Sequence, residues 1–139
     1  WWIAYKLEEQ GVEFFASADF KRFSIHDQPA RIYPVFINLV NNSAYWVEHS
    51  NEPVKQIKLD VFEGNVVVSD NGPGVDVDDI SRLFQLFFTK KIRGGRGVGL
   101  YLCRANLAAS GHAIFYVESS GSLLSGANFV IDFRGGKYE

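Results

Sequence analysis

The segment Asp70-Asn71-Gly72-Pro73-Gly74 constrains this chain more than any other. A carboxylate closes the apolar run Val66-Val67-Val68, and the chain passes at once into two glycines split by a proline. The run reads as a buried strand. Gly-Pro-Gly continues neither strand nor helix. An acid therefore stands at the end of a core strand with glycine backbone around it. A carboxylate there can accept the amino hydrogen of a purine. Glycine lets the main chain come close to a flat ligand.

Two further signals stand in order around it. Downstream lies Gly94-Gly95-Arg96-Gly97-Val98-Gly99-Leu100, followed by a helical pattern over Val98–Ser110 that Gly111 closes. Free N–H groups and the positive dipole end of such a helix attract phosphate. Upstream, Pro29 opens a helix that runs to about Glu48. Ile32, Val35, Phe36, Leu39, Val40, Ser43 and Val47 follow helical spacing and are expected to face the core. Asn38, Asn42 and Tyr45 fall at i, i+4 and i+7 and form a second, polar stripe. An Asn carbonyl oxygen suits a hard cation that also takes phosphate oxygens. Each signal is weak alone. Their order and spacing point to a site for ATP and Mg²⁺.

The remaining elements are read from periodicity. Residues 1–10 form a short helix and Val12–Ala16 a strand. Lys55–Phe62 alternates, with Ile57, Leu59 and Val61 on one face and Lys58 and Asp60 on the other, as expected of a half-buried antiparallel strand. Glu63-Gly64-Asn65 turns the chain into Val66–Ser69. Asp76 to about Phe87 reads as a short helix and a loop, and Lys90–Gly97 as a basic glycine-rich loop. Ala113–Glu118 and Asn128–Phe133 are strands joined by a Gly/Ser turn. The pattern predicts an α+β fold: a mixed, mostly antiparallel sheet with helices packed on one face.

With 139 residues the chain is expected to form one domain spanning 1–139. A net charge of −2 without a basic cluster gives no support for nucleic-acid binding. No apolar run reaches the length of about 18 residues that a membrane span needs, so no direct membrane contact is expected. Cys103 is the single cysteine and reads as a packed thiol in a helix. The chain starts at Trp1-Trp2 without a Met and is expected to be a fragment of a longer protein.

These motifs resemble those of the ATP-binding catalytic domain of sensor histidine kinases, in the wider GHKL group with DNA gyrase, Hsp90 and MutL. The resemblance covers about residues 12–133. Asn38-Leu39-Val40-Asn41-Asn42-Ser43 resembles the N box, and Asp70-Asn71-Gly72-Pro73-Gly74 the first glycine box. Leu83 to Lys91 resembles the phenylalanine box, in which Phe84, Phe87 and Phe88 are expected to anchor a lid. Gly95-Arg96-Gly97-Val98-Gly99-Leu100 resembles the second glycine box, and Gly126-Ala127-Asn128-Phe129 a weaker last one.

The resemblance implies the two-layer α/β sandwich called the Bergerat fold. It also implies roles. Asp70 would read adenine, with Gly72 and Gly74 giving close approach and Trp46 stacking on the base. Asn42 would ligate Mg²⁺, with Asn38 near the phosphates or the metal. Phe88, Lys90, Lys91, Gly95, Arg96, Gly97, Val98, Gly99 and Leu100 would surround the nucleotide, Lys91 being the better match to a phosphate-contacting Lys. Asn38 and Lys91 are the expected catalytic positions. In gyrase-like ATPases the residue at position 38 is a Glu that activates water; Asn cannot act as a base at neutral pH. Two positions depart from the common histidine-kinase pattern: Tyr45 stands where many members carry Lys, and Trp46 where many carry Tyr.

The implied activity is transfer of the γ-phosphoryl group of ATP to a histidine on a separate dimerisation and phosphoacceptor domain, with a response regulator downstream. A cytoplasmic location is expected, with a parent protein that could be membrane-anchored. A same-fold ATPase that drives a conformational change, or a non-catalytic nucleotide sensor, are the alternatives. His26 in His26-Asp27-Gln28-Pro29 reads as a surface loop residue and not a phosphoacceptor, and His49 and His112 show no evident partners.

Overall fold

The computed structural model describes residues 2–25, 27–91, 95–121, 123–133 and 137–138. Trp1, His26 and Gly94, singled out above, lie outside the described residues, as does Ser122 of the expected Gly/Ser turn. The elements in chain order are helix α1 (Trp2–Glu9), strand β1 (Val12–Ala16), helix α2 (Ala18–Arg22), β2 (Phe23–Ser24) and α3 (Pro29–Glu48). They continue with β3 (Lys55–Phe62), β4 (Asn65–Asp70), a 3₁₀ turn (Val77–Arg82), α4 (Gly99–Ala109), β5 (Ala113–Val117), β6 (Asn128–Asp132) and β7 (Lys137–Tyr138).

The main sheet has the order β1-β3-β4-β6-β5. β3, β4, β6 and β5 pair antiparallel, whereas β1 pairs parallel to β3, Phe14 lying opposite Ile57. A parallel pair requires a long crossover, and the segment from Ser17 through α3 supplies it. Lys55–Phe62 is thus antiparallel on one side only, which corrects the expectation for that strand. Its polar face is also less open than the alternation implied. Asp60 is buried and its Oδ2 lies 3.0 Å from Lys58 Nζ. Lys58 Nζ also lies 5.9 Å from the centroid of the Phe15 ring on the neighbouring β1, a contact that a sequence alternation cannot report. The short α2, β2 and β7 were not legible. The Ser17 side chain starts α2 by accepting the Phe20 N–H at 3.1 Å.

Hairpin β3–β4 turns through Glu63 and Gly64, both at positive φ (50° and 81°), between the paired Phe62 and Asn65. That geometry sets the β4 register. Val66 and Val68 belong to the main core, while Val67 joins Leu123 and Val130 in a small cluster on the opposite face. By the period of two, Asp70 shares the face of Val66 and Val68, toward the helices. α3 and α4 cover this face. Leu39, Val40 and Val47 of α3 and Cys103 and Leu107 of α4 are fully buried. Ile32, Val35 and Ser43 are buried as their spacing predicted, and Phe36 is half-buried. On the other face, among the described residues, no helix packs over Val67 and Val130. The β5–β6 connection covers them with Leu123 and is tied down by the Leu124 N–H donating to Ser69 Oγ at 2.9 Å.

The α3 start and the α4–β5 corner are joined by polar contacts. His112 Nε2 lies 2.8 Å from Asp27 Oδ2, and Arg31 donates to Ser110 Oγ at 2.5 Å. His112 therefore has a partner 85 positions away, against expectation. His49 has one too: its Nδ1 donates to the Tyr45 carbonyl at 2.7 Å, one helical turn back. The His112 contact is long-range in sequence and leaves no local signature, whereas the His49 contact closes the end of α3 and is local.

Candidate nucleotide-binding site

Between α3, the turn after β4 and the start of α4 lies a cleft of about 440 Å³. Its wall from α3 carries Asn38, Asn41, Asn42 and Trp46. Pro73, Gly74 and Val75 form its floor side, and Thr89, Lys90, Lys91, Gly95, Arg96, Gly97, Val98, Gly99 and Leu100 its mouth. Phe88, Leu83, Ala127 and Phe129 complete the apolar lining. Residues drawn from both glycine segments and from the asparagine stripe thus converge on one cleft. Asn41 also lines it, though its place on α3 had no assigned role.

Asp70 lies behind this lining and is completely buried. One oxygen is fixed. Asp70 Oδ1 accepts from Gly72 N at 2.9 Å and from Ala127 N at 3.2 Å. The other, Oδ2, is buried without a hydrogen bond, as is Ser43 Oγ. Burial pushes the carboxyl above the ordinary carboxylate value, against the Gly72 and Ala127 N–H groups and the nearby Ser43 hydroxyl, which stops short of a hydrogen bond. An acceptor at zero exposure with no donor is costly. A purine amino group is a donor of the required kind.

Glycine surrounds this acid because nothing larger fits. A Cβ on Gly126 would lie 2.5 Å from Asp70 Oδ1 and 2.6 Å from Gly72 N. A Cβ on Gly72 would lie 3.1 Å from Asp70 Oδ1 and 3.3 Å from the Trp46 carbonyl carbon. Gly74 holds φ +77°, which L side chains rarely adopt. The side chain of Asn71 pins the turn to the sheet, accepting from Gln56 N at 2.8 Å and donating to Val54 O at 2.6 Å.

The mouth is built on a second tight approach. Gly97 has φ +72°, and a Cβ there would lie 2.3 Å from the Phe87 carbonyl carbon. Its carbonyl accepts the Phe87 N–H at 2.7 Å. Phe87 itself takes φ 69° and is 72% exposed, so it does not pack. Phe84 and Phe88 do pack against the core, Phe84 edge-on to Phe129. α4 begins at Gly99, one residue later than predicted, after Val98, which offers no side-chain cap. Its first N–H groups have no intrahelical acceptor.

The two lysines of the mouth differ. Lys90 Nζ is 2.5 Å from Asp79 Oδ2 and 3.8 Å from Asp76 Oδ2. Asp79 also pairs with Arg82 at 2.5 Å, and Arg82 lies over the Phe88 ring at 4.8 Å. The Lys90 hydrogen bond holds the Asp79 carboxyl below its ordinary value against burial, with Arg82 adding to it. Asp79 therefore ties the mouth to the 3₁₀ turn. Nothing in its local sequence announced this. Lys91 has its Nζ over the Tyr45 ring, 5.1 Å from the centroid. Arg96 is exposed at the rim.

The family model of the histidine kinase-, DNA gyrase B- and HSP90-like ATPases matches residues 27–135. This chain belongs to that family. Within it, the relatives place the chain with the ATP-binding catalytic domains of histidine kinases in the GHKL superfamily. This GHKL domain is 29% identical over 124 residues to the sensor protein ChvG of Rhizobium meliloti, covering 84% of the chain and 22% of that protein. It is 31% identical over 106 residues to the C4-dicarboxylate transport sensor protein DctB of the same organism, covering 75% of the chain and 16% of DctB. It thus spans less than a quarter of each of these relatives. The fold matches that of the mycobacterial sensor histidine kinase MprB with a TM-score of 0.75 at 18% identity, covering 99% of the GHKL domain and 91% of that structure. It also matches the full-length ShkA solved with AMPPNP, at TM-score 0.71 and 23% identity, covering 95% of the GHKL domain and 27% of that chain. The two-layer sandwich expected from the motifs is the fold observed.

Among the described residues no helix is long and apolar enough to cross a membrane. Cys103 is fully buried in α4, and burial pushes its thiol up to about 11.

Proposed function

We propose that this domain binds ATP with Mg²⁺ and presents the γ-phosphoryl group to a histidine on a separate phosphoacceptor domain, in the cytoplasm, within a two-component relay that ends on a response regulator. The observation that carries this reading is the buried, unpartnered Oδ2 of Asp70 beside the cleft. Gly72 and Ala127 orient the carboxylate so that this oxygen takes the purine amino hydrogen. Trp46, from the α3 wall, stacks on the base. Asn42 supplies an amide oxygen to the cation, and Asn38 lies one turn earlier near the phosphates. Mg²⁺ supplies charge neutralisation and orientation to the triphosphate. Lys91, Arg96 and the N–H groups at the start of α4 add positive charge at the phosphate end.

The chemistry required of these side chains is positioning and charge neutralisation. Asn38 offers no base, which favours transfer to a protein nucleophile over rapid hydrolysis. Phe87, exposed at the mouth, is available to the acceptor domain. Calorimetric titration with Mg²⁺·ATP, followed by label transfer to the acceptor domain of the same parent protein, tests the reading. Saturable binding with transfer to the acceptor and little phosphate release is expected. Rapid multiple-turnover phosphate release would replace it with an ATPase, and binding without transfer would replace it with a nucleotide sensor.

A further inference from the structure

Lys91 is the more buried of the two lysines of the mouth. It is half-buried and lines the cleft. Its backbone N–H donates to Thr89 Oγ1 at 3.1 Å. A Cβ on Gly95 would lie 2.6 Å from Lys91 Cβ and 2.5 Å from Thr89 Oγ1, so only glycine lets that backbone lie against the lysine stem. The ammonium then stands over the Tyr45 ring, 5.1 Å from the centroid. Tyr45 follows Asn42 by three positions on α3, the spacing of neighbours on one helix face.

The ring under the ammonium is itself held. His49 stacks on it at 4.2 Å and 23°, and the imidazole is fixed by its bond to the Tyr45 carbonyl. Trp46 meets it edge-on at 5.0 Å and 87°. A lysine free in solvent has many rotamers, and fixing them opposes binding. An aromatic face that attracts the cation fixes it before the ligand arrives.

Resting on the nucleotide reading above, we propose that Tyr45 is a positioning residue whose ring seats the Lys91 ammonium at the phosphate end of the cleft. The helix that carries Asn42 thereby places a cation donated by the loop, using an aromatic face. Burial lowers the Lys91 ammonium from its ordinary value, as a partly desolvated cation requires.

The test compares Mg²⁺·ATP with adenosine, which has no phosphate, by calorimetry on Tyr45→Leu, Tyr45→Phe, Lys91→Ala and their combinations. Tyr45→Leu is expected to weaken ATP about 3- to 30-fold, the span of a cation–π contact, and to leave adenosine unchanged. Tyr45→Phe keeps the ring and retains ATP affinity. In a Lys91→Ala background, Tyr45→Leu has no further effect. Adding Tyr45→Lys to that background restores affinity, because it returns an ammonium to the same face of α3. Equal losses for ATP and adenosine, an undiminished loss in the Lys91→Ala background, or unchanged or tighter ATP binding by Tyr45→Leu would each overturn the proposal. A readout without nucleotide separates it from the nucleotide reading. Ring current from Tyr45 shifts the Lys91 ε-methylene proton resonances, and Tyr45→Leu abolishes that shift. Absence of the shift in the unmutated protein overturns the seat. A protein that binds neither ligand overturns the nucleotide reading, while a shifted resonance still upholds the seat.

Discussion

The amide of Gly126 donates to the Asp70 carbonyl at 2.8 Å, and the α-carbon of Gly126 comes so close that any Cβ would strike the Asp70 carboxylate. A residue from the β5–β6 connection thus sets the position of the acid at the end of β4. Gly126→Ala is expected to destabilise the domain by about 1–3 kcal/mol, the usual cost of overpacking. It should also weaken nucleotide binding by more than that loss of folded protein explains, because the carboxylate must move. Thermal melts beside calorimetry check this. A variant of native affinity would show that Gly126 does not set the position of Asp70.

Asp70→Asn makes a more specific prediction. The oxygen that accepts from Gly72 and Ala127 must remain an oxygen, so the amide nitrogen takes the place of Oδ2. A donor then meets the purine amino donor, and affinity for ATP should fall by about 10- to 100-fold. Removing a buried charge should meanwhile raise the melting temperature of the unliganded protein at neutral pH. Weaker binding from a more stable protein separates a binding role from a folding role.

The pH dependence follows from the raised Asp70 carboxyl. The folded, unliganded state holds this proton more tightly than the unfolded chain does. Stability contributed by the site therefore falls as pH rises from the ordinary value of 3.8 through the raised folded value. Nucleotide affinity rises through the same window, because only the ionised acid accepts from the amino group. Subtracting Asp70→Asn melts and titrations from those of the native sequence isolates this term. Opposite slopes for stability and affinity are expected, and parallel slopes would refute it.

Asp79 behaves in the opposite sense. Lys90 and Arg82 hold its carboxyl below 3.8, so its contribution is present above that value and is lost as pH falls through the lowered folded value. Asp79→Asn should reproduce at neutral pH the loosening of the mouth that acid produces. Amide hydrogen exchange at Phe87 and Phe88 is the measurement. Faster exchange there with little change in the β4 amides is expected; unchanged exchange would show that the ion pairs do not anchor the mouth.

Cys103 provides a global probe. It is the single cysteine, fully buried, with its thiol pushed up to about 11. Alkylation should therefore require opening of the α3–α4 layer, at a rate set by unfolding. Saturating nucleotide should slow the reaction further by mass action. Modification at the rate of a free thiol would contradict the packing of α4.

The chain on its own determined its core and its family. Helix α3 follows from Pro29 and an uninterrupted apolar face, β4 from three consecutive valines, and the end of α4 from Gly111. These signals are local, set by side-chain period and backbone freedom, so neighbours in sequence suffice to express them. The motif order Asn38–Asn42, Asp70–Gly74, Gly95–Leu100 likewise identified the cleft. Only the tertiary structure decided how its parts are held. Gly126 reaches Asp70 from 56 residues away, and Lys91 reaches Tyr45 from 46 residues away. Asp79, inside the 3₁₀ turn, is tied to Lys90 beyond it, and His112 is tied to Asp27 from the far end of α4. β1 became a parallel edge strand because α3 must cross over before β3 can form. Each of these rests on the approach of groups distant along the chain, and such approach depends on how sheet and helices pack, which no local pattern encodes.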